Sequence, residues 1–142
     1  MASVTYNSYK KNQLNGNIDL DSDTIMCALV TNAYTPDIDA HEFFDDITNE
    51  VVGVGYTADG AEITTKTVTQ DDANDRAQFD GDDVEWTGAT ITARAAIIWK
   101  DTGTDATSPL MRYHDFGEDK STTGTTFKIT WGATGIMHVV DP

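Results

Sequence analysis

Apolar and polar residues alternate with a period of two in several parts of the chain, which is typical of β-strands with one wet face. Ala77 and Phe79 alternate with polar neighbours, and Phe127, Ile129 and Trp131 do the same further along. From residue 51 onward, short runs rich in Thr and β-branched residues are separated by Gly, Asp and Asn. We therefore predict a series of antiparallel strands.

Two runs are apolar on both faces. One is "TIMCALVT", residues 24–31, and the other is the opening of "ITARAAIIWKDTG", residues 91–103. In the second run, alternate residues from Ile91 to Trp99 form one apolar face, and Ala96 and Ile98 make the opposite face apolar too. Both strands must be covered on both sides, by a loop, an added helix or another subunit.

Two segments interrupt the strand pattern. Residues 1–16 are amphipathic and predict a short N-terminal helix closed by Gly16, or an extended arm. Residues 32–50 contain Pro36 and then Phe43, Phe44 and Ile47 at roughly helical spacing. We predict a long excursion with one helical turn there.

The order of these elements predicts an all-β fold. Many short strands, few helices and no long parallel crossovers favour a two-sheet β-sandwich of jelly-roll or similar Greek-key type. A chain of 142 residues fits a single domain, residues 1–142.

Charge narrows the possible partners. Nine Lys and Arg stand against 24 Asp and Glu, which gives a formal net charge of −15. Nucleic-acid affinity depends on Lys and Arg that displace counterions, so we expect no direct contact with nucleic acid. No apolar run approaches the ~20 residues of a membrane span, and the first residues lack the apolar core of a secretory signal. We expect no membrane association.

Cysteine chemistry is limited to one residue. A single Cys, Cys27, cannot form an internal disulfide, and its apolar neighbours indicate an inert buried thiol.

Acidic clusters offer two candidate cation sites. Asp19, Asp21 and Asp23 have the spacing that opens an EF-hand loop, but Thr24 and Val30 stand where that loop needs Gly and Glu. A solvated turn fits this segment better. The acids between residues 71 and 83 leave a weak divalent-cation site open, although charge runs are usually solvated faces. No metal ligand is assigned.

"GVGYTA", residues 53–58, matches the letters of a dinucleotide fingerprint. A helix must follow such a motif to meet the pyrophosphate, and the strand-like "AEITTKTVT" follows instead. We predict a kinked or bulged strand and no cofactor.

Catalytic combinations are not evident. His41, His114 and His138 show no zinc-like spacing, and no Ser lies in a Gly-flanked elbow. His114 and His138 fall in predicted strands, where a hydrogen-bonded structural role is the more common one. No catalytic residue is assigned, and we expect a binding or structural module rather than an enzyme.

Two arginines fall inside predicted strands. Arg94 and Arg112 lie in an acid-rich chain, so we expect each to pair with a carboxylate, inside the sandwich or at a subunit contact.

Most of the chain resembles a family of small virion proteins of tailed bacteriophages. The resemblance is carried by "YNSY", residues 16–64, "NDRAQFDGDDVEWTGATITARAAIIWKDTG" and "TTFKITWGATGIMHV". It rests on overall texture rather than on a catalytic signature. It implies a capsid cement or decoration protein with a jelly-roll fold on the outer capsid surface of the virion, made in the host cytoplasm, that bridges subunits of the major capsid protein.

Further expectations follow from this resemblance together with the residues. The N-terminal segment combines aromatic and cationic side chains, so we predict a capsid contact at Tyr6, Tyr9, Lys10 and Lys11. The alternative is that this helix packs on its own sandwich. The strand that is apolar on both faces is covered by this segment or by a second copy, and a homo-oligomer, with a dimer favoured, is expected. Head and tail locations stay open.

A competing hypothesis is a carbohydrate-binding or host-adhesion module, with Trp86, Trp99 or Trp131 as a stacking platform beside Asp and Asn. Each Trp lies at an end of a strand, on the face of its apolar neighbours, which favours the core. An exposed Trp beside a carboxylate favours sugar binding.

Overall fold

The structure is a computed structural model that describes residues 2–140. In it the chain forms eight β-strands, one α-helix and two 3₁₀ turns. The strands are β1 (Val4–Thr5), β2 (Ile25–Val30), β3 (Ala61–Glu62), β4 (Thr67–Asp71), β5 (Arg76–Asp80), β6 (Val84–Lys100), β7 (Leu110–Ile129) and β8 (Met137–Val140). The helix α1 spans Asn7–Leu14, and the 3₁₀ turns span Phe44–Asp46 and Asp105–Thr107.

The strands form two antiparallel sheets. The larger has the order β1-β7-β6-β2-β3, and the smaller has the order β4-β5-β8. This confirms the predicted all-β two-sheet sandwich with a short N-terminal helix. Among the described residues, no helix is long and apolar enough to cross a lipid bilayer.

The main core lies between the two sheets. Phe79 and Met137 of the smaller sheet belong to one buried cluster with Cys27, Leu29 and Ile91 of the larger sheet. Cys27 is fully buried, and burial raises the pKa of its thiol, as the prediction of an inert buried cysteine requires.

A second core lies on the opposite face of the larger sheet. There Ala95, Ile97 and Trp99 pack against Tyr34 and Phe44 from the 32–50 excursion. The Phe44 and Trp99 rings stack with centroids 3.9 Å apart and planes 11° apart. The predicted helical turn of this excursion is the 3₁₀ turn Phe44–Asp46. The chain itself therefore covers both faces of β6, and the apolar strand gives no reason for a second copy.

The prediction that alternate residues from Ile91 to Trp99 share one face of β6 is wrong. Ile91 and Ala93 belong to the core between the sheets, whereas Ala95, Ile97 and Trp99 belong to the second core. The pairing of β6 with β7 shifts in register between Ala93 and Ala95. An irregularity of this kind moves every later side chain to the other face.

Two predicted strands differ in the structure. Residues 51–57 form no strand and make only an isolated bridge between Val54 and Thr90. Gly53 is needed there because a Cβ on it would lie 2.6 Å from the Thr90 carbonyl oxygen. The predicted run 62–69 is divided between β3 and β4.

Candidate interaction groove

Helix α1 places the predicted contact residues at the edge of the larger sheet. Tyr6, which precedes the helix, is fully buried in the second core, and Tyr9 is buried in the core between the sheets. The segment therefore crosses the sheet edge with one tyrosine on each side. Burial raises the pKa of Tyr9 to about 12. Gly16, at φ +76°, follows the helix as predicted.

The tyrosines are not surface anchors. Tyr6 donates its backbone N–H to the Met111 carbonyl, and its hydroxyl lies 2.8 Å from the Tyr34 hydroxyl. Both rings complete cores of the chain itself, as the alternative of a helix packed on its own sandwich expects, and the contact of Tyr6 and Tyr9 with a capsid stays a prediction. Lys10 and Lys11 are exposed, and their contact with a capsid stays a prediction.

A groove of about 400 Å³ opens beside α1, where the core between the sheets reaches the surface. Tyr9, Lys10 and Arg112 line one side, and Phe79 and Val139 line the other. We call this the α1 groove.

The apolar face of the smaller sheet extends from the core into this groove. Val68, Phe79 and Met137 stand in one cross-strand row, and Ala77 pairs with Val139 in a neighbouring row. Ala77 is exposed, although the alternation predicted it in the core. It faces the same side as Phe79, but the packed core ends before it. Val68, Val139 and Val140 remain 48%, 54% and 52% exposed.

Arg112 extends into the α1 groove from β7. It pairs across the sheet with Ile98, whose side chain belongs to the core between the sheets. Its Nη1 donates to Thr5 Oγ1 at 3.1 Å, while its buried Nε has no acceptor among the described residues. Burial lowers its pKa, and none of the described carboxylates forms an ion pair with it. The prediction of a carboxylate partner inside the sandwich is therefore wrong for Arg112 within residues 2–140, and a partner at a subunit contact stays a prediction.

Arg94 behaves as predicted. Its Nε donates to Asp115 Oδ1 at 2.8 Å, and the Asp115 side chain is only 5% exposed. The hydrogen bond from Arg94 holds the pKa of Asp115 at about 2. This ion pair joins β6 to β7.

The histidines form no common site within residues 2–140. His41 Nδ1 lies 2.9 Å from the Tyr34 hydroxyl, and His138 is exposed beside the α1 groove. His114 packs edge-to-face on Trp131, but its buried Nδ1 has no described partner, contrary to the hydrogen-bonded role predicted for it. Burial lowers the pKa of His114.

The acidic segments are largely occupied by their own contacts. Asp23 accepts from the Asp19 backbone N–H and pairs with Lys100 at 2.9 Å, within the predicted turn. Asp71 pairs with Arg76 at 3.0 Å. Across residues 2–140, no group of three or more His, Cys, Asp or Glu side chains is arranged to hold a metal ion.

The three tryptophans differ in exposure. Trp86 and Trp99 are 5% and 1% exposed, so the core placement predicted from their strands is confirmed. Trp131 is half-buried beyond the end of β7, where its indole N–H donates to the Asp82 carbonyl and its backbone N–H to Asp83.

No family model, no curated protein and no solved structure matches this chain.

Sequence reasoning missed Arg112 and Val139 as groove residues. A cation within the apolar run "LMRY" was the available signal for Arg112. The residues next to Arg112 in the sequence did not indicate that a carboxylate partner is missing, because the partner depends on which distant residues surround the guanidinium.

Proposed function

We propose that this chain is a structural virion protein that binds the outer surface of a tailed-phage capsid and stabilises contacts between major capsid protein subunits. The major capsid protein is proposed as the partner because the sequence resembles capsid cement proteins. The observation that carries a binding role is the α1 groove, an exposed aliphatic surface next to Lys10 on a chain of net charge −15. Exposed apolar patches with polar rims mark interaction sites.

Charge supports the outer position. A surface of net charge −15 is repelled by packaged DNA but meets no such repulsion on the outside of a shell. Cementing of this kind needs no catalysis, since buried area across many copies adds association free energy.

A homo-oligomer, with a dimer favoured, is also part of the proposal, and sedimentation equilibrium measures the oligomeric state directly.

Co-sedimentation with phage heads stripped of the protein tests the proposal. We expect saturable binding at a fixed ratio to the major capsid protein that matches the lattice symmetry. Replacing Lys10 and Lys11 together by Gln is expected to weaken binding about tenfold, which corresponds to about 1.4 kcal/mol. The double variant Lys120→Gln, Lys128→Gln is the control with the same change in net charge. Absence of binding, with a few copies found in tails instead, overturns the proposal.

A carbohydrate-binding or host-adhesion module is the second candidate. Trp131 favours it, because this ring is partly exposed and its backbone is hydrogen-bonded to the Asp83 carboxylate. A glycan array distinguishes the two candidates: sugar binding that Trp131→Ala abolishes, without head binding, selects adhesion.

A further inference from the structure

The lining of the α1 groove differs from the rest of the chain in charge. The protein contains 24 Asp and Glu, and none of those within residues 2–140 lines this groove. Lys10, Arg112 and His138 line it instead. The groove is therefore a local basic region on a strongly acidic protein.

Arg112 is the partly buried cation of this region, and no carboxylate within residues 2–140 pairs with it. Its Nε is buried without an acceptor among residues 2–140, and Thr5 Oγ1 is a neutral acceptor for Nη1. A partly buried guanidinium without a carboxylate partner is a site that a bound anion stabilises. Its planar fork matches a carboxylate in two parallel hydrogen bonds.

The acidic loop after β4 does not supply that carboxylate. The loop after β4 borders the groove beyond Ala77 and Val139. In that loop Asp71 is already held by Arg76. Aliphatic side chains surround the rest of the opening, including Val68 and Val139.

We propose that the α1 groove binds a segment of a partner protein that presents a carboxylate side chain flanked by aliphatic residues. The carboxylate pairs with Arg112, Lys10 adds attraction at the rim, and the aliphatic residues cover Val68 and Val139. Charge complementarity selects this occupant, because a neutral or basic segment leaves the guanidinium unpaired. This inference rests on the proposed function in taking the partner to be a protein of the shell.

Titration of the ¹⁵N-labelled protein with the capped peptide acetyl-Ser-Val-Glu-Val-Ser-amide tests the groove without any phage component. We expect shifts of the amide signals of β5, β8 and α1. The counterpart with Gln in place of Glu is expected to bind at least about tenfold more weakly, because it lacks the charge-assisted hydrogen bonds. Equal affinity for the two peptides, or shifts only outside the groove, overturns the proposal.

Variants of the groove make the test specific. Arg112→Met keeps the aliphatic stem and is expected to weaken Glu-peptide binding about tenfold, and Lys120→Met is the control with the same charge change. Val139→Asp places a competing carboxylate at an exposed position and is expected to reduce binding as strongly, whereas Val139→Asn retains more of it. If Arg112→Met does not fold, the comparison of Val139→Asp with Val139→Asn tests whether the groove binds the peptide.

Two further outcomes separate the alternatives. Binding of sodium octanoate at the same signals, with no binding of either peptide, identifies a small-molecule carboxylate site and overturns the proposal. Head binding that Arg112→Met and Val139→Asp leave unchanged rejects the groove but retains the capsid function. If the protein binds the Glu peptide but fails to bind heads, the groove proposal is retained and the capsid function is rejected.

Discussion

Arg94 and Arg112 show how much the surroundings decide about a single residue. Both arginines lie in long strands of the larger sheet, and a carboxylate partner was predicted for each. Arg94 Nε donates to Asp115 Oδ1 at 2.8 Å, whereas the Arg112 side chain, within residues 2–140, donates only to the Thr5 hydroxyl. The first arginine stabilises the fold, and the second is available for a ligand.

The Arg94–Asp115 pair predicts a pH-dependent contribution to stability. Because the folded-state pKa of Asp115 is lowered to about 2 from 3.8, the contribution is complete above pH 4 and is lost as the pH falls through 2. We expect Asp115→Asn to lower the free energy of unfolding by about 1 kcal/mol at pH 7. Urea denaturation at several pH values measures this difference, which should shrink steadily as the pH falls towards 2 and vanish only below it.

The control for that experiment is Asp45→Asn, which removes the same charge at an exposed position. Its free energy of unfolding should stay within about 0.5 kcal/mol of the unmodified protein at pH 7. A difference for Asp115→Asn that is equally large at pH 7 and pH 2 contradicts the ion-pair explanation.

At the scale of elements, close backbone contacts fix how short strands attach to long ones. β3 pairs with β2 over only two residues, Met26 with Glu62 and Cys27 with Ala61. Gly60 precedes this pairing at φ +88°, and a Cβ on it would lie 2.0 Å from the Cys27 carbonyl oxygen. Glycine is required there both by its dihedral angle and by space.

Substitution of Gly60 separates these two requirements. We expect Gly60→Ala to lower the free energy of unfolding by about 3 kcal/mol, because the new Cβ overlaps the backbone of β2. Gly16→Ala is the matched control: Gly16 also has a positive φ, +76°, but no atom lies within 4 Å of its added Cβ. It should cost about 1 kcal/mol for the dihedral angle alone. Equal losses in urea denaturation contradict the overlap.

At the scale of the whole molecule, charge is the dominant property. A net charge of −15 on 142 residues produces self-repulsion that the folded chain concentrates in a smaller volume. The few cations are mostly engaged in local pairs, such as Lys128 with Asp83 at 3.2 Å. Added salt screens the remaining repulsion.

Salt should therefore stabilise this protein. Between 10 mM and 0.5 M NaCl the Debye length falls from about 30 Å to about 4 Å, and we expect the free energy of unfolding to rise by about 1 kcal/mol. Urea is the suitable denaturant because it is uncharged. NaCl and KCl should agree at equal ionic strength, since screening does not depend on the cation. An unchanged or falling urea midpoint contradicts the expectation.

The sequence by itself determined the class of fold and the position of the main strands. Period-two alternation and the doubly apolar run of β2 depend on neighbouring residues only, so the burial of Cys27 and Leu29 followed from local pattern. The helix before Gly16 also followed from local signals. Of the residues that line the α1 groove, the exposed Lys10 was predicted from the sequence as a contact residue.

Only the tertiary structure decided which groups meet. The register shift after Ala93 moved Ala95 to the second core, and Phe44, far away in sequence, supplied the ring that covers Trp99. Tyr9 became part of the core between the sheets, and no carboxylate within residues 2–140 lines the α1 groove beside Arg112. These outcomes depend on strand register and on contacts between distant segments. A periodic pattern specifies that a side chain is buried, but it does not specify what buries it.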